Sequence, residues 1–173
     1  MKIALLIGIL AITTGCASLN DAMTPSLTLA RDAFDGATIV RQDPVSASSS
    51  MSEAWHIFGM EWSSKSPDQV YVTAGTNGVV NIEGLAFNVD GEVIECQAAS
   101  SSTEYGTWSS RRFVVSWAAF KKLASGHDVK MKLSQINSYS ISSFGKSHEG
   151  AVIDKKIPPF IAEVEHLRSD PGD

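Results

Sequence analysis

Histidine and serine side chains are the groups in this sequence that could supply a general base, a metal ligand or a nucleophile. There are four histidines, and two of them lie beside an acidic residue, in His127-Asp128 and His148-Glu149. Neighbours on a strand point to opposite faces, so adjacency alone makes neither pair an acid-base site. The sequence has no Gly-x-Ser-x-Gly elbow, no His-Glu-x-x-His pattern and no glycine-rich phosphate loop. We therefore predict no catalytic residue, no metal site and no cofactor.

The chain has two cysteines, and Cys96 is the one that falls within the folded part of the sequence. It ends an alternating run in which Asp90-Gly91 favours a two-residue hairpin turn. The resulting register places Cys96 opposite Leu85 on the apolar face. We predict a small buried residue with an unreactive thiol; a reactive thiol or an intermolecular disulfide is the alternative.

A candidate recognition segment covers residues 100–112. It combines serine, threonine and glycine with Tyr105, Trp108 and Arg111. Aromatic side chains and arginine on an adaptable loop are typical of binding surfaces. These three are the predicted binding residues, and the alternative is that Trp108 covers one end of the folded domain.

The N-terminus has the three-part layout of a signal peptide. Met1 and Lys2 form a short positive end, and residues 3–12 form an apolar run interrupted only by glycine. A membrane-spanning helix needs about 20 apolar residues, and this run is much shorter. Residues 1–15 are therefore predicted to be a signal peptide.

The junction Thr13-Thr14-Gly15-Cys16 resembles the lipobox of bacterial lipoproteins, in which a small residue precedes the cysteine that becomes lipidated. This resemblance implies palmitate-type acyl chains on Cys16 that hold the protein to a membrane. No Asp follows Cys16, which in that family favours the outer membrane, with the domain in the periplasm. Thr13 departs from the usual Leu, and the alternative is an ordinary secretory leader cut near Ala17.

The net negative charge of the chain argues against nucleic acid as a partner. Loss of the leader removes Lys2 from 14 basic residues and leaves 13 against 19 acidic residues, a formal net charge of −6. Binding to phosphate needs a basic stripe, whereas Arg111-Arg112 and Lys121-Lys122 are isolated pairs. We expect no nucleic-acid partner.

One domain on a short tether is the predicted organisation. Residues 16–35 form the lipidated N-terminus and tether, with a possible brief helix over residues 27–34. Residues 36–168 form a β-rich globular domain, long enough for one core, and residues 169–173 form a C-terminal tail.

Alternating apolar and polar residues predict strands across the first half of the domain. A strand over residues 37–41 should end at Asp43-Pro44, followed by a serine-rich mobile loop over residues 46–52. Residues 55–63 form a half-buried strand, with His56 as a structural histidine on its apolar side. Residues 69–74 form its antiparallel neighbour, and Val89 opposite Glu92 sets the register of the Asp-Gly hairpin.

The second half predicts a strand, a short helix and two more strands. Ser116 suits the helix N-cap and Gly126 its end. A final helix opens at Pro158 or Pro159. We predict a mainly β fold, an antiparallel β-sandwich with two short helices; a small open β-barrel is the alternative.

The functional prediction is a non-enzymatic, membrane-anchored envelope lipoprotein. Its β-domain is expected to bind a protein or an envelope polymer as an accessory or assembly factor. The alternative is an inhibitor or exclusion factor that blocks an incoming enzyme or phage. A third possibility, an enzyme whose site is assembled only by the fold, would depend on His127 or His148.

Overall fold

The computed structural model of the protein describes residues 24–169. The predicted signal peptide, Cys16, the first part of the tether and the last four residues lie outside this range. Eleven strands occur within it: β1 (Thr28–Arg31), β2 (Thr38–Ser46), β3 (His56–Ser63), β4 (Gln69–Thr76), β5 (Ile82–Val89), β6 (Glu92–Glu95), β7 (Gln97–Ala98), β8 (Glu104–Tyr105), β9 (Ser109–Ser116), β10 (Val129–Gln135) and β11 (Ser138–Phe144). Two α-helices, α1 (Trp117–Ser125) and α2 (Ile157–Ser169), and a 3₁₀ turn (Val152–Lys155) complete the described chain.

The strands form two antiparallel sheets. The first has the order β1-β2-β3-β4-β9-β7, with β8 also paired to β9, and the second has the order β11-β10-β5-β6. Strands make up 46% of the structure and helices 18%, which confirms the mainly β prediction. Within residues 24–169 the sheets do not close into one barrel; the arrangement is the predicted sandwich rather than the open-barrel alternative.

Three phenylalanines join the two sheets at the centre of the core. Phe58 on β3 meets Phe87 on β5 edge to face, with ring centroids 5.5 Å apart, and stacks on Phe144 of β11 at 6.3 Å. All three are at most 1% exposed. Burial of such large apolar surfaces is the main favourable term in folding, and the alternating pattern of the strands places these side chains between the sheets.

The Asp-Gly hairpin has the predicted register. Val89 pairs with Glu92 and Phe87 with Ile94, and both turn residues have positive φ, 52° at Asp90 and 94° at Gly91. That conformation is the type I′ geometry whose twist suits two-residue hairpins.

Two expectations for the N-terminal part are wrong. Residues 28–31 form strand β1, paired to β2, instead of the possible helix over residues 27–34. The strand predicted over residues 37–41 continues through Asp43 and Pro44, because a register shift between Gln42 and Val45 accommodates the proline. A bulge leaves one residue without a ladder partner, so the missing N–H of proline costs little there.

The two helices pack together over one end of the sandwich. The Ser116 hydroxyl accepts a hydrogen bond from the Ala119 amide at 3.2 Å and caps α1 as predicted. Phe120 of α1 and Phe160 of α2 meet with ring centroids 5.5 Å apart. Arg168 near the end of α2 binds Asp68, in the turn between β3 and β4, at 3.0 Å, so the last helix is fixed to the first sheet.

Candidate functional site

Three chain segments meet at one end of the first sheet. His56 at the start of β3 pairs with Thr76 at the end of β4, and Thr76 pairs with Ser109 at the start of β9. The residues just outside this row therefore lie at the same end of the sandwich. They include Trp55 before β3 and Trp108 before β9.

Trp55 and Trp108 form an edge-to-face ring pair at this end, with centroids 5.7 Å apart and planes at 74°. Trp55 is 58% exposed, Tyr105 is 59% exposed and Val79 is 88% exposed, while Trp108 is half-buried. We call Trp55, Val79, Tyr105 and Trp108 the aromatic end. An edge-to-face contact between two tryptophans contributes about 1 kcal/mol beyond its buried area, which orders rings that are otherwise open to solvent.

The second sheet extends this surface. Ile82, the first residue of β5, pairs with Gln135 next to the β10–β11 turn, and Ile136 and Tyr139 there are each more than 60% exposed. The Lys132 ammonium lies 4.8 Å from the centroid of the Tyr139 ring, a cation–π contact that orients the ring.

Hydrogen bonds hold the loops of the aromatic end in place. The Ser109 hydroxyl donates to the Gly78 carbonyl at 2.7 Å and accepts from the Val80 amide at 3.1 Å. The Thr103 hydroxyl accepts from the Ile82 amide at 2.8 Å. These bonds fix the segment that carries Val79, so less conformational entropy would be lost on binding.

The three predicted binding residues separate into two groups. Tyr105 and Trp108 lie at the aromatic end. The Arg111 guanidinium donates to the backbone carbonyls of Ser100 at 3.0 Å and Ile82 at 2.9 Å, and Glu83 accepts a further bond at 3.2 Å. The structure therefore uses Arg111 to hold the 100–112 segment against β5, which leaves little donor capacity for a ligand.

Trp55 is the surface residue that sequence reasoning missed. The sequence prediction placed it in the half-buried strand over residues 55–63, whereas β3 begins at His56, and its ring partner Trp108 is far away in sequence. The signal that could have identified it is a large aromatic residue directly before a strand, where the chain has already left the sheet.

His56 lies beneath this surface and is fully buried. Its Nδ1 lies 2.9 Å from the Ser142 hydroxyl and its Nε2 lies 2.8 Å from the Ser140 hydroxyl, both on β11. Burial lowers the pKa of His56 to about 4, against a smaller raising effect of Glu53. A neutral imidazole with both nitrogens bonded is the structural histidine predicted from sequence, and it links the two sheets.

The predicted serine loop covers the edge of β11. The Ser49 amide donates a hydrogen bond to the Ser143 carbonyl at 3.1 Å, and the Ala54 amide donates one to the Ile141 carbonyl at 3.3 Å. The Glu53 carboxylate accepts from the Ser143 amide at 3.0 Å. These contacts satisfy backbone groups of an edge strand that would otherwise offer pairing sites to another chain.

The two His-acid pairs read from sequence are rearranged by the fold. His148 Nε2 lies 2.8 Å from an Asp128 carboxylate oxygen, and this contact, followed by the bond from Lys130, lowers the pKa of Asp128. His127 is exposed. The Ser147 hydroxyl donates its hydrogen bond to the His127 carbonyl at 2.9 Å, and its proton is therefore not directed at the His148 ring. The result is a partly exposed hydrogen-bonded pair beside the start of β10.

An open groove of about 880 Å³ lies near this pair, lined in part by Gly126, Gly145, Lys146 and Asp154. Asp154 accepts a hydrogen bond from the Gly145 amide at 2.8 Å. Burial raises the pKa of Asp154, and the Gly145 amide opposes that rise. The groove lies at the end of β10 and β11 that is away from their connecting turn.

Cys96 packs against the core as predicted and is partly buried. Burial raises the pKa of its thiol to about 12, with a further contribution from Glu95. A thiol with so little thiolate at neutral pH is a poor nucleophile.

Residues 24–169 contain neither a metal-ligating cluster nor a membrane-spanning helix. In this part of the chain, no three His, Cys, Asp or Glu side chains are grouped so that they could hold a metal ion. Over the same residues, none of the helices combines the length and hydropathy needed to cross a membrane.

Comparison of the chain with protein-family models, with curated proteins and with solved structures finds no match.

Proposed function

We propose that this protein is a lipid-anchored protein of the bacterial cell envelope whose β-sandwich binds a protein or an envelope polymer through the aromatic end. The resemblance of residues 13–16 to a lipobox supports the anchor on Cys16 and a position at the outer membrane, facing the periplasm. The aromatic end supports the binding role, as an accessory or assembly factor rather than an enzyme.

The observation that carries the binding role is the concentration of exposed apolar side chains at one end of the sandwich. Trp55, Val79 and Tyr105 are each more than half exposed there, and Ile136 and Tyr139 lie at the neighbouring turn. Apolar residues scattered singly over a surface are ordinary, whereas several exposed at one end of a domain favour an interaction site. Tryptophan and tyrosine are also the residues that most often dominate binding energy.

The chemistry of this surface favours recognition over catalysis. Its side chains supply large apolar and aromatic contact area and hydrogen-bonding tips, but they do not bring together a base and a nucleophile. The carboxylate, imidazole and amine groups of the Asp128–His148 pair and of the groove are placed elsewhere on the domain.

The test is a comparison of matched exposed residues. We expect a Trp55→Ser, Tyr105→Ser double variant to lose at least tenfold in partner recovery after mild cross-linking in living cells. Leu29→Ser and Val93→Ser are the controls, because these side chains are 59% and 58% exposed on other strands. Equal recovery by the Trp55→Ser, Tyr105→Ser variant and by the two control variants would remove the aromatic end as the binding surface.

The anchor is tested separately. Wild-type protein should sediment with the outer membrane, and a Cys16→Ser variant should appear in the soluble periplasmic fraction. Unchanged localisation of the serine variant would contradict the lipid anchor and leave the test of the aromatic end unaffected.

A further inference from the structure

The segments that carry the aromatic end and its extension on the second sheet contain almost no charge. Besides Trp55, they cover residues 76–82, 99–108 and 135–139. Glu104 is the only charged residue in these segments, whereas charged residues make up 19% of the whole chain. The side chains that a ligand can meet there are mainly aromatic rings, amides and hydroxyls.

The charged residues that border these segments do not suit an anionic ligand. The Arg111 guanidinium donates to backbone carbonyls, and the Lys132 ammonium lies 4.8 Å from the centroid of the Tyr139 ring. The Glu83 and Glu104 side chains are exposed. Because an interface needs matching charges on its two sides, an acidic polymer would meet carboxylates here without a free cation.

The aromatic side chains follow one another across neighbouring strands. One row of paired residues crosses four strands at this end: His56, Thr76, Ser109 and Tyr105. Three strand spacings, about 14 Å in total, separate the backbones of the first and the last. Trp55 precedes the first of these residues and Trp108 precedes the third, so three large rings are distributed over this width. Such a line of rings suits an elongated ligand.

The Asn81 side chain adds a fixed polar group beside the rings. Its Oδ1 accepts a hydrogen bond from the Thr103 hydroxyl at 3.1 Å, and that hydroxyl accepts one from the Ile82 amide at 2.8 Å. Residues 24–169 provide no acceptor for the Asn81 Nδ2, and the side chain is exposed. Since a side-chain amide carries two donor hydrogens, Asn81 is left to donate to a ligand.

We propose that the ligand of the aromatic end is a neutral glycan chain that lies across the ends of β3, β4, β9 and β8. A sugar ring has two faces of C–H groups and a rim of hydroxyls. The C–H faces stack on the negative faces of aromatic rings, here Trp55, Trp108 and Tyr105, and a hydroxyl accepts from Asn81. This inference rests on the proposed function and narrows its partner to one chemical class.

The first test identifies the class of the partner in living cells. A benzophenone amino acid, which reacts with C–H bonds of sugars and proteins alike, replaces Val79 in the full-length protein and leaves the rings in place. After irradiation and proteolysis, the peptide that contains position 79 is analysed by mass spectrometry. We expect it to carry hexose or N-acetylhexosamine units.

The other outcomes of this experiment are also decisive. A peptide from another protein, or acidic sugars, at position 79 would overturn the neutral glycan and leave the proposed function standing. Absence of any adduct would contradict both.

The second test asks whether the rings stack on the ligand. Trp55→Phe keeps an aromatic ring, whereas Trp55→Leu keeps only apolar surface. We expect the yield of the adduct at position 79 to stay within about twofold for Trp55→Phe and to fall at least tenfold for Trp55→Leu. Equal yields from the two variants would overturn the stacking and with it the glycan.

The third test concerns the amide donor. Asn81→Asp keeps the oxygen that the Thr103 hydroxyl binds and removes the donor. Asn88→Asp is the matched control, because the Asn88 Oδ1 accepts from the Gly91 amide at 2.9 Å at the other end of β5. We expect the adduct yield to fall at least tenfold for Asn81→Asp alone, and equal yields from the two variants would contradict the proposed contact with a sugar hydroxyl.

Discussion

At the scale of single residues, His56 is the side chain most sensitive to its surroundings. It has no exposed surface, and each ring nitrogen has one serine hydroxyl as partner. The imidazole is therefore held neutral between β3 and β11. Glu53 is the charged group that acts on it, and this carboxylate is itself engaged with the Ser143 amide.

This arrangement predicts a loss of stability in mild acid. The pKa of His56 falls from 6.5 to about 4 on folding, so the unfolded chain takes up the proton first as pH decreases. The contribution is fully present above pH 6.5 and is lost as pH falls towards 4. The free energy of unfolding should fall by about 3 kcal/mol at most over this range. Urea unfolding at pH 7, 5.5 and 4.5 would measure the decrease.

His56→Gln should flatten this pH dependence, whereas His166→Gln, at an exposed position on α2, should leave it unchanged. An equally steep loss of stability between pH 6.5 and 4 in the His56→Gln protein and in the wild type would contradict this role of His56.

The raised pKa of Cys96 predicts that its thiol is alkylated slowly. Burial raises its pKa from 9.0 to about 12, which lowers the thiolate fraction at pH 8 about a thousandfold. In the Cys16→Ser protein, iodoacetamide should therefore modify Cys96 about a thousandfold more slowly before unfolding than in urea. Comparable rates in the two states would show that the thiol is accessible and reactive.

At the scale of elements, the parts of the fold determined by local sequence were predictable. The Asp90-Gly91 turn and the Ser116 cap depend on residues within four positions of each other, and both formed as expected. β1 was missed because all four of its residues are exposed, so they carry no alternating signal. The passage of β2 through Pro44 was missed because the bulge depends on pairing with β3.

The cap of α1 allows a direct test at this scale. Ser116→Ala removes the acceptor for the Ala119 amide and should lower the free energy of unfolding by about 1 kcal/mol. Ser125→Ala is the matched control, because that exposed hydroxyl only contacts the Lys122 carbonyl in the last turn. A loss as large in the control as in Ser116→Ala would contradict the capping role.

At the scale of the whole molecule, the sandwich brings together residues that no sequence pattern connects. The Trp55–Trp108 pair exists because β3, β4 and β9 align in one register, and that alignment is a long-range property. Sequence reasoning found Tyr105 and Trp108 from their loop composition, but it could not find Trp55. It also could not foresee that the Arg111 guanidinium is directed to backbone carbonyls.

The two ends of the sandwich differ in the chemistry of their surfaces. One end of the sandwich carries exposed aromatic and aliphatic side chains, and the other end of β10 and β11 carries the groove lined in part by Lys146 and Asp154.

The measurement that tests the binding role most directly is site-specific photo-cross-linking in living cells. A photoreactive amino acid replaces Trp55 in one protein and Val93, equally exposed on β6, in another. We predict one discrete protein adduct or a polymer adduct from position 55, and at least tenfold less of it from position 93. Absence of any adduct from position 55, or the same adducts from both positions, would contradict a partner at the aromatic end.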